Sequence, residues 1–169
     1  MTFAFSMRAK CAVLAAALVM MGVPSSGARA EDHSPVIDVP TTDPEMTTAI
    51  AKARATLPIF WASYEAPKPS ETGHSLKVRF PTSPRNGEHI WMMDVKRLPN
   101  GLYSGRFGNA PRDLPGKREG DLAEFRDADI SDWMFMRNGK IVGCETIRPM
   151  LKSLPRRDAD AFRARMETP

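Results

Sequence analysis

Cysteine is nearly absent from this chain. Its 169 residues hold only Cys11 and Cys144, too few for a disulfide framework or for the paired Cys-x-x-Cys spacings of zinc and redox sites. Histidine is almost as scarce. His33, His74 and His89 include no pair four residues apart, so the helical zinc-hydrolase pattern is missing, and neither a metal nor another cofactor is expected. There is no Gly-Lys-Ser/Thr phosphate loop, and Leu102-Tyr103-Ser104-Gly105-Arg106 is not the Gly-x-Ser-x-Gly elbow that exposes a nucleophilic serine. Beyond residue 23 no apolar run approaches the roughly 20 residues needed to span a bilayer, so no membrane anchor is expected. No internal repeat is visible.

What the N-terminus does hold is an export signal. Arg8 and Lys10 precede a run from Cys11 to Val23 that is apolar except for Gly22, and Ala28-Arg29-Ala30 follows as a small-residue cleavage site. Cleavage after Ala30 predicts a periplasmic or secreted protein of 139 residues. The segment carries three basic residues and no acidic one, so the formal charge of +4 falls to about +1, with 21 basic and 20 acidic side chains. A sequence pI of 9.3 is therefore no nucleic-acid footprint, and no nucleic-acid partner is expected. Cys144 is left alone in the mature chain, which predicts a monomer without an internal bridge. A single domain of this size buries about two-thirds of its unfolded surface, enough for an ordinary core.

Residues 31–42, with Pro35 and Pro40, read as a flexible leader. Asp43-Pro44-Glu45 is a helix start, with a capping acid and a proline at the first helical position. Met46, Ile50, Ala53 and Leu57 then fall on one helical stripe, and Pro58 is a candidate kink before the helix ends near Tyr64. In 74–80, Leu76, Val78 and Phe80 alternate with Ser75, Lys77 and Arg79, a strand with one wet face. Residues 88–98 are apolar on both faces, a central strand. Asn100-Gly101 and Asn138-Gly139 are tight turns. Further strands are expected at 102–105, 121–125, 130–137 and 140–144, with a loop over 108–120. The prediction is an α+β fold: an N-terminal helix on an antiparallel meander sheet of about five or six strands, occupying 43–155. Short helices close the chain, the last an amphipathic, arginine-decorated segment over 156–169.

Polar residues recur inside otherwise buried strands: Glu88-His89-Ile90-Trp91, then Ile130-Ser131-Asp132-Trp133-Met134, then Thr146 and Arg148. With the Gly-x-x-x-Asn-x-Pro stretch from Gly105 to Pro111, Gly120-Asp121 and Gly143, these residues resemble, in order, the YegJ-like family of bacterial proteins, a domain of unknown function. The resemblance runs from about Met46 to Leu151. It implies an α+β fold and no established activity. Cys144 departs from it, standing where a second glycine is expected after Gly143.

Two functional readings follow. In the first, the protein is a non-catalytic binding or accessory module for an unknown protein or envelope component, using a sheet face or the 108–120 loop, with Asn109, Pro111, Trp91, Trp133 and Thr146 as candidate binding residues. In the second, it is a small hydrolase with Glu88, His89 and Asp132 as acid, base and orienting group and Arg148 stabilising negative charge. A buried Asp132 also has a purely structural account, accepting backbone N–H groups or pairing with an arginine such as Arg148. A Cys144–His89 thiolate pair is a further option that sequence alone does not place in contact.

Overall fold

Asp43 opens the fold as the sequence predicts, its Oδ1 accepting hydrogen bonds from the amides of Glu45 (2.8 Å) and Met46 (3.0 Å). The computed structural model describes residues 43–84 and 86–167, so the expected signal peptide and leader lie outside the described residues. Helix α1 spans Pro44–Glu65 and buries Met46, Ala53, Leu57, Phe60 and Ser63. It runs through Pro58 without ending, although a proline there removes one backbone donor.

Six strands follow: β1 (Glu71–Pro81), β2 (Gly87–Arg97), β3 (Tyr103–Phe107), β4 (Leu122–Phe125), β5 (Ile130–Arg137) and β6 (Lys140–Gly143). They form one antiparallel sheet in the order β4-β3-β2-β1-β5-β6. The first four are the expected meander. From β4 the chain returns through a 3-10 turn at Asp127–Asp129 to lay β5 on the open side of β1. This return places the two apolar-rich hairpins side by side, with β1 between β2 and β5.

The α1-facing core contains Leu76, Val78, Ile90, Met92, Val95, Phe107, Trp133 and Phe135 against Ala53, Leu57 and Phe60. Alternation along β5 sends Met134 and Met136 to the other face. There a second cluster gathers Ile141, Cys144, Leu151, Ala159 and Met166, flanked by Trp91 and Phe162. This face is supplied by short helix α2 (Ile147–Met150), a 3-10 turn at Leu151–Ser153 and helix α3 (Arg156–Arg165). Consequently the second face of β1 is not wet along its length: Ser75 is buried, and Lys77 and Arg79 are half-buried. Helix α3 buries Ala159, and Met166 just beyond it bridges to Ile141.

Candidate functional site

The four polar candidates do not form one cluster. Glu88, near the start of β2, accepts from the amides of Arg112 (2.9 and 3.1 Å to its two oxygens) and Asp113 (2.9 Å), clamping the 108–120 loop. Asp132 is fully buried. It accepts from the amides of Trp133 (2.8 Å), Glu145 (3.1 Å) and Thr146 (2.7 Å) and from the Thr146 hydroxyl (2.6 Å). Burial pushes its pKa up, against the downward pull of these donors and of nearby Lys77. Of the two structural accounts offered for Asp132, the backbone one is present and the arginine pairing is not. Arg148 instead reaches Glu145 (Nε to Oε2, 3.0 Å), which also meets Lys52 at 3.1 Å.

His89 meets Ser131, its Nδ1 lying 2.8 Å from Oγ. Burial, and then the charges of Lys77 and Arg79, lower its pKa to about 4. Cys144 is a buried thiol whose pKa is pushed up to about 12, first by burial and then by the Asp132 charge. It donates its amide to the Trp133 carbonyl (2.8 Å). The option of a reactive Cys144–His89 pair lacks its contact, because the hydrogen bond of His89 goes to Ser131.

The five binding candidates divide into loop and core. Asn109 fastens the loop to β2, its Oδ1 accepting from the Trp91 amide at 3.2 Å, and Pro111 is half-buried one turn on. Trp91 is half-buried with Lys77 over its ring at 5.3 Å. Trp133 and Thr146 are buried, and Trp133 donates its indole N–H to the Ala53 carbonyl of α1 at 2.9 Å.

Where β5 begins, a cavity of about 220 Å³ opens between α1, β1, β2 and the 127–129 turn. Arg54, Arg79, His89, Asp129 and Ser131 supply its polar lining. Arg54 is committed, donating from one nitrogen to the carbonyls of Asp127, Ala128 and Ile130. Asp129 is committed too, held by Arg126 at 2.8 and 2.9 Å, a contact that lowers its pKa. His89 Nε2 is buried and has no hydrogen-bond partner among the described residues. Arg54 and Arg79 were not singled out from the sequence, since Arg79 looks like any solvent-facing strand residue until the sheet order is known.

A second polar cluster also escapes sequence reading. Ser63 on α1 lies 2.8 Å from both Glu71 Oε2 and His74 Nε2, and Glu71 Oε1 meets Arg137 Nε at 3.0 Å. Despite its serine, histidine and acid, this is no nucleophilic triad. The Ser63 hydroxyl, the Lys68 amide and Arg137 hold Glu71 low against burial, so it is a carboxylate that can only accept. Ser63 therefore donates to Glu71 and accepts from His74, and its proton does not face an imidazole lone pair. Burial lowers the His74 pKa.

Comparison with known proteins adds kinship without chemistry. The described fold coincides with a match, over residues 43–167, to the family described as an uncharacterized protein conserved in bacteria (DUF2314). The uncharacterized protein YegJ of Escherichia coli strain K12 is 38% identical over 79 residues, covering 47% of this chain and 51% of that protein. The match thus spans about half the length of the curated relative. No solved structure matches. The helix start at Asp43, the six strands and the docked C-terminal segment all fall inside the matched region, and the chain belongs to the DUF2314 family of uncharacterized bacterial proteins.

Proposed function

We propose that the protein is exported and serves as a non-catalytic binding or accessory module, presenting the 108–120 loop from a rigid sheet to a protein or envelope component. The observation that carries this reading is the clamp at Glu88: both carboxylate oxygens of the leading acid-base candidate are taken by loop amides. An acid-base hydrolase needs its carboxylates, base and cation around one wet cleft. Here Glu88, Asp132 and Arg148 are each engaged with different partners. The clamp orders a loop whose Lys117, Arg118 and Glu119 side chains are exposed, and exposed side chains on an anchored loop suit recognition.

Export rests on the ordered sequence of charge, apolar run and cleavage triplet at the N-terminus. N-terminal sequencing of the exported product is expected to begin at Glu31; an intact Met1 overturns that part. The binding role is tested by cross-linking capture from envelope fractions with wild type and with Lys117, Arg118 and Glu119 all changed to alanine. The expected result is a captured component lost in the variant at unchanged melting temperature. Identical recovery with both proteins overturns the loop as the binding element. Turnover of ester, phosphoester, peptide or glycoside substrates that Glu88→Gln abolishes overturns the non-catalytic reading.

A further inference from the structure

We propose that a second cavity, on the sheet face opposite α1, binds a small monocarboxylate with an apolar tail, Lys96 and Ser104 holding the carboxylate and Leu122 the tail. Tyr103 and Phe107 pack toward α1, so alternation along β3 turns Ser104 and Arg106 to the other face. The C-terminal segment covers that face around Trp91, Met134 and Met136 but leaves Met93 and Leu122 41% and 58% exposed. There a cavity of about 520 Å³ opens, lined by Tyr64, Asp94, Lys96, Ser104, Arg106 and Leu122. Its size suits a small ligand.

A break in the β2–β3 ladder shapes the cavity. Between the pairs Met93–Arg106 and Lys96–Ser104, both Asp94 and Val95 stand against Gly105 alone, which is a β-bulge. Asp94 absorbs the extra residue at φ +50°, a left-handed backbone that aspartate tolerates better than most side chains and that tends to mark functional sites. At the break Tyr64 donates its hydroxyl to the Val95 carbonyl, which brings the end of α1 into the lining. Just beyond it Lys96 and Ser104 are directly opposed across the ladder, close enough for one carboxylate to meet both. Lys96 is exposed and Ser104 half-buried, so both can be reached from solvent, and neither side chain has a hydrogen bond or ion pair among the described residues. The charge of Arg106 is engaged, its guanidinium donating to the Gly120 carbonyl at 2.8 Å and lying 3.9 Å from the Asp94 carboxylate. Lys96 is therefore the lining cation that lacks a counter-ion, and an ammonium beside a free hydroxyl offers an anion two adjacent donors. Leu122, paired with Arg106 and diagonal to Ser104, gives the tail an apolar wall. Glu124, the neighbour of Ser104 on β4, is exposed and outside the lining, and its charge opposes the anion.

The inference does not depend on the loop: a failed titration here leaves the loop capture experiment untouched, and the reverse. The probes are hexanoate, hexanamide, which keeps the tail without the charge, and acetate, which keeps the charge without the tail. Each is added to the purified ¹⁵N-labelled protein while the amide signals of Lys96, Ser104 and Leu122 are followed by NMR. Hexanoate is expected to move all three in a saturable way. Hexanamide is expected to bind about tenfold more weakly, the effect of one charge-assisted hydrogen bond, and acetate about tenfold more weakly for want of apolar burial. Lys96→Gln should weaken hexanoate about tenfold and Ser104→Ala about threefold, both at an unchanged urea midpoint because neither side chain has a partner to lose. Glu124→Gln removes the opposing charge and should tighten binding about twofold. Absence of a saturable response, equal affinity for hexanamide or acetate, undiminished binding by Lys96→Gln or Ser104→Ala, or weaker binding by Glu124→Gln would each overturn the proposal.

Discussion

Asp132 shows how much one side chain can decide. All four of its contacts are donors, so the site suits an acceptor-only carboxylate and has no place for an amide N–H. Asp132→Asn puts two hydrogens against groups that also donate. It is expected to cost about 1.5–3 kcal/mol, seen as a lower urea midpoint at unchanged slope. A midpoint equal to or above wild type would mean that the sheet does not rely on this network and would return Asp132 to the catalytic candidates. His89 makes a different, pH-dependent forecast. Its folded pKa of about 4 lies below the ordinary value of 6.5, so between those pH values the unfolded chain binds more protons. Stability therefore falls as pH drops through that window. His74, also lowered, acts in the same direction, whereas Asp132, raised, favours the folded state as pH falls. Comparing wild type with His89→Gln isolates the His89 share. Wild type should lose roughly 2 kcal/mol more than the variant on going from neutral pH to pH 4, after allowance for partial exposure. Parallel stability curves would show that His89 is not held neutral by the fold.

At the scale of elements, the end of β6 is the tightest joint. Gly143 has φ +80°, and a Cβ there would meet the Trp133 carbonyl oxygen at 2.5 Å and its ring at 2.6 Å. Gly143→Ala is therefore expected to cost about 2–4 kcal/mol through left-handed strain and forced displacement of a buried indole. Urea unfolding checks this, and a loss below 1 kcal/mol would show that the β5–β6 hairpin can re-form around a side chain. The next residue, Cys144, also has a positive φ, of 56°. That explains why the family resemblance leads one to expect glycine there: the backbone is left-handed at two successive positions, and the chain accepts a small side chain at the second because the thiol is buried among Ile141, Leu151, Ala159 and Met166. This turn carries the chain from β6 past the buried Asp132, whose carboxylate takes the amides of Glu145 and Thr146.

On the scale of the whole molecule, the two faces of the sheet are closed by opposite ends of the described chain, α1 on one and the 144–167 segment on the other. Cys144 reports on the second closure. With its thiol buried and its pKa near 12, it should resist alkylation in the native protein at pH 8 and react fully in urea, as located by mass spectrometry. Rapid native labelling, or a reducible dimer on non-reducing gels, would show that the C-terminal segment opens readily. No disulfide-linked dimer is expected, because the described chain buries this thiol rather than presenting it.

Most of the elements are legible in local sequence. Local signals sufficed for the Asp43 cap, the β5 strand at 130–137, the Asn-Gly turns and the apolar alternation of β1, because caps, turns and pleats are set by neighbours a few residues apart. The sequence also pointed to Asp132, since an acid between apolar neighbours must find partners. Tertiary structure decided which strands meet, and thereby what each polar residue does. The return of β5 to the side of β1 brought Ser131 to His89, and the chain beyond β6 brought Glu145 and Thr146 to Asp132. These partners lie 42, 13 and 14 residues apart for His89–Ser131, Asp132–Glu145 and Asp132–Thr146. Nothing in a local pattern encodes such pairings, because they follow from strand order, and strand order is chosen by the burial of two faces at once.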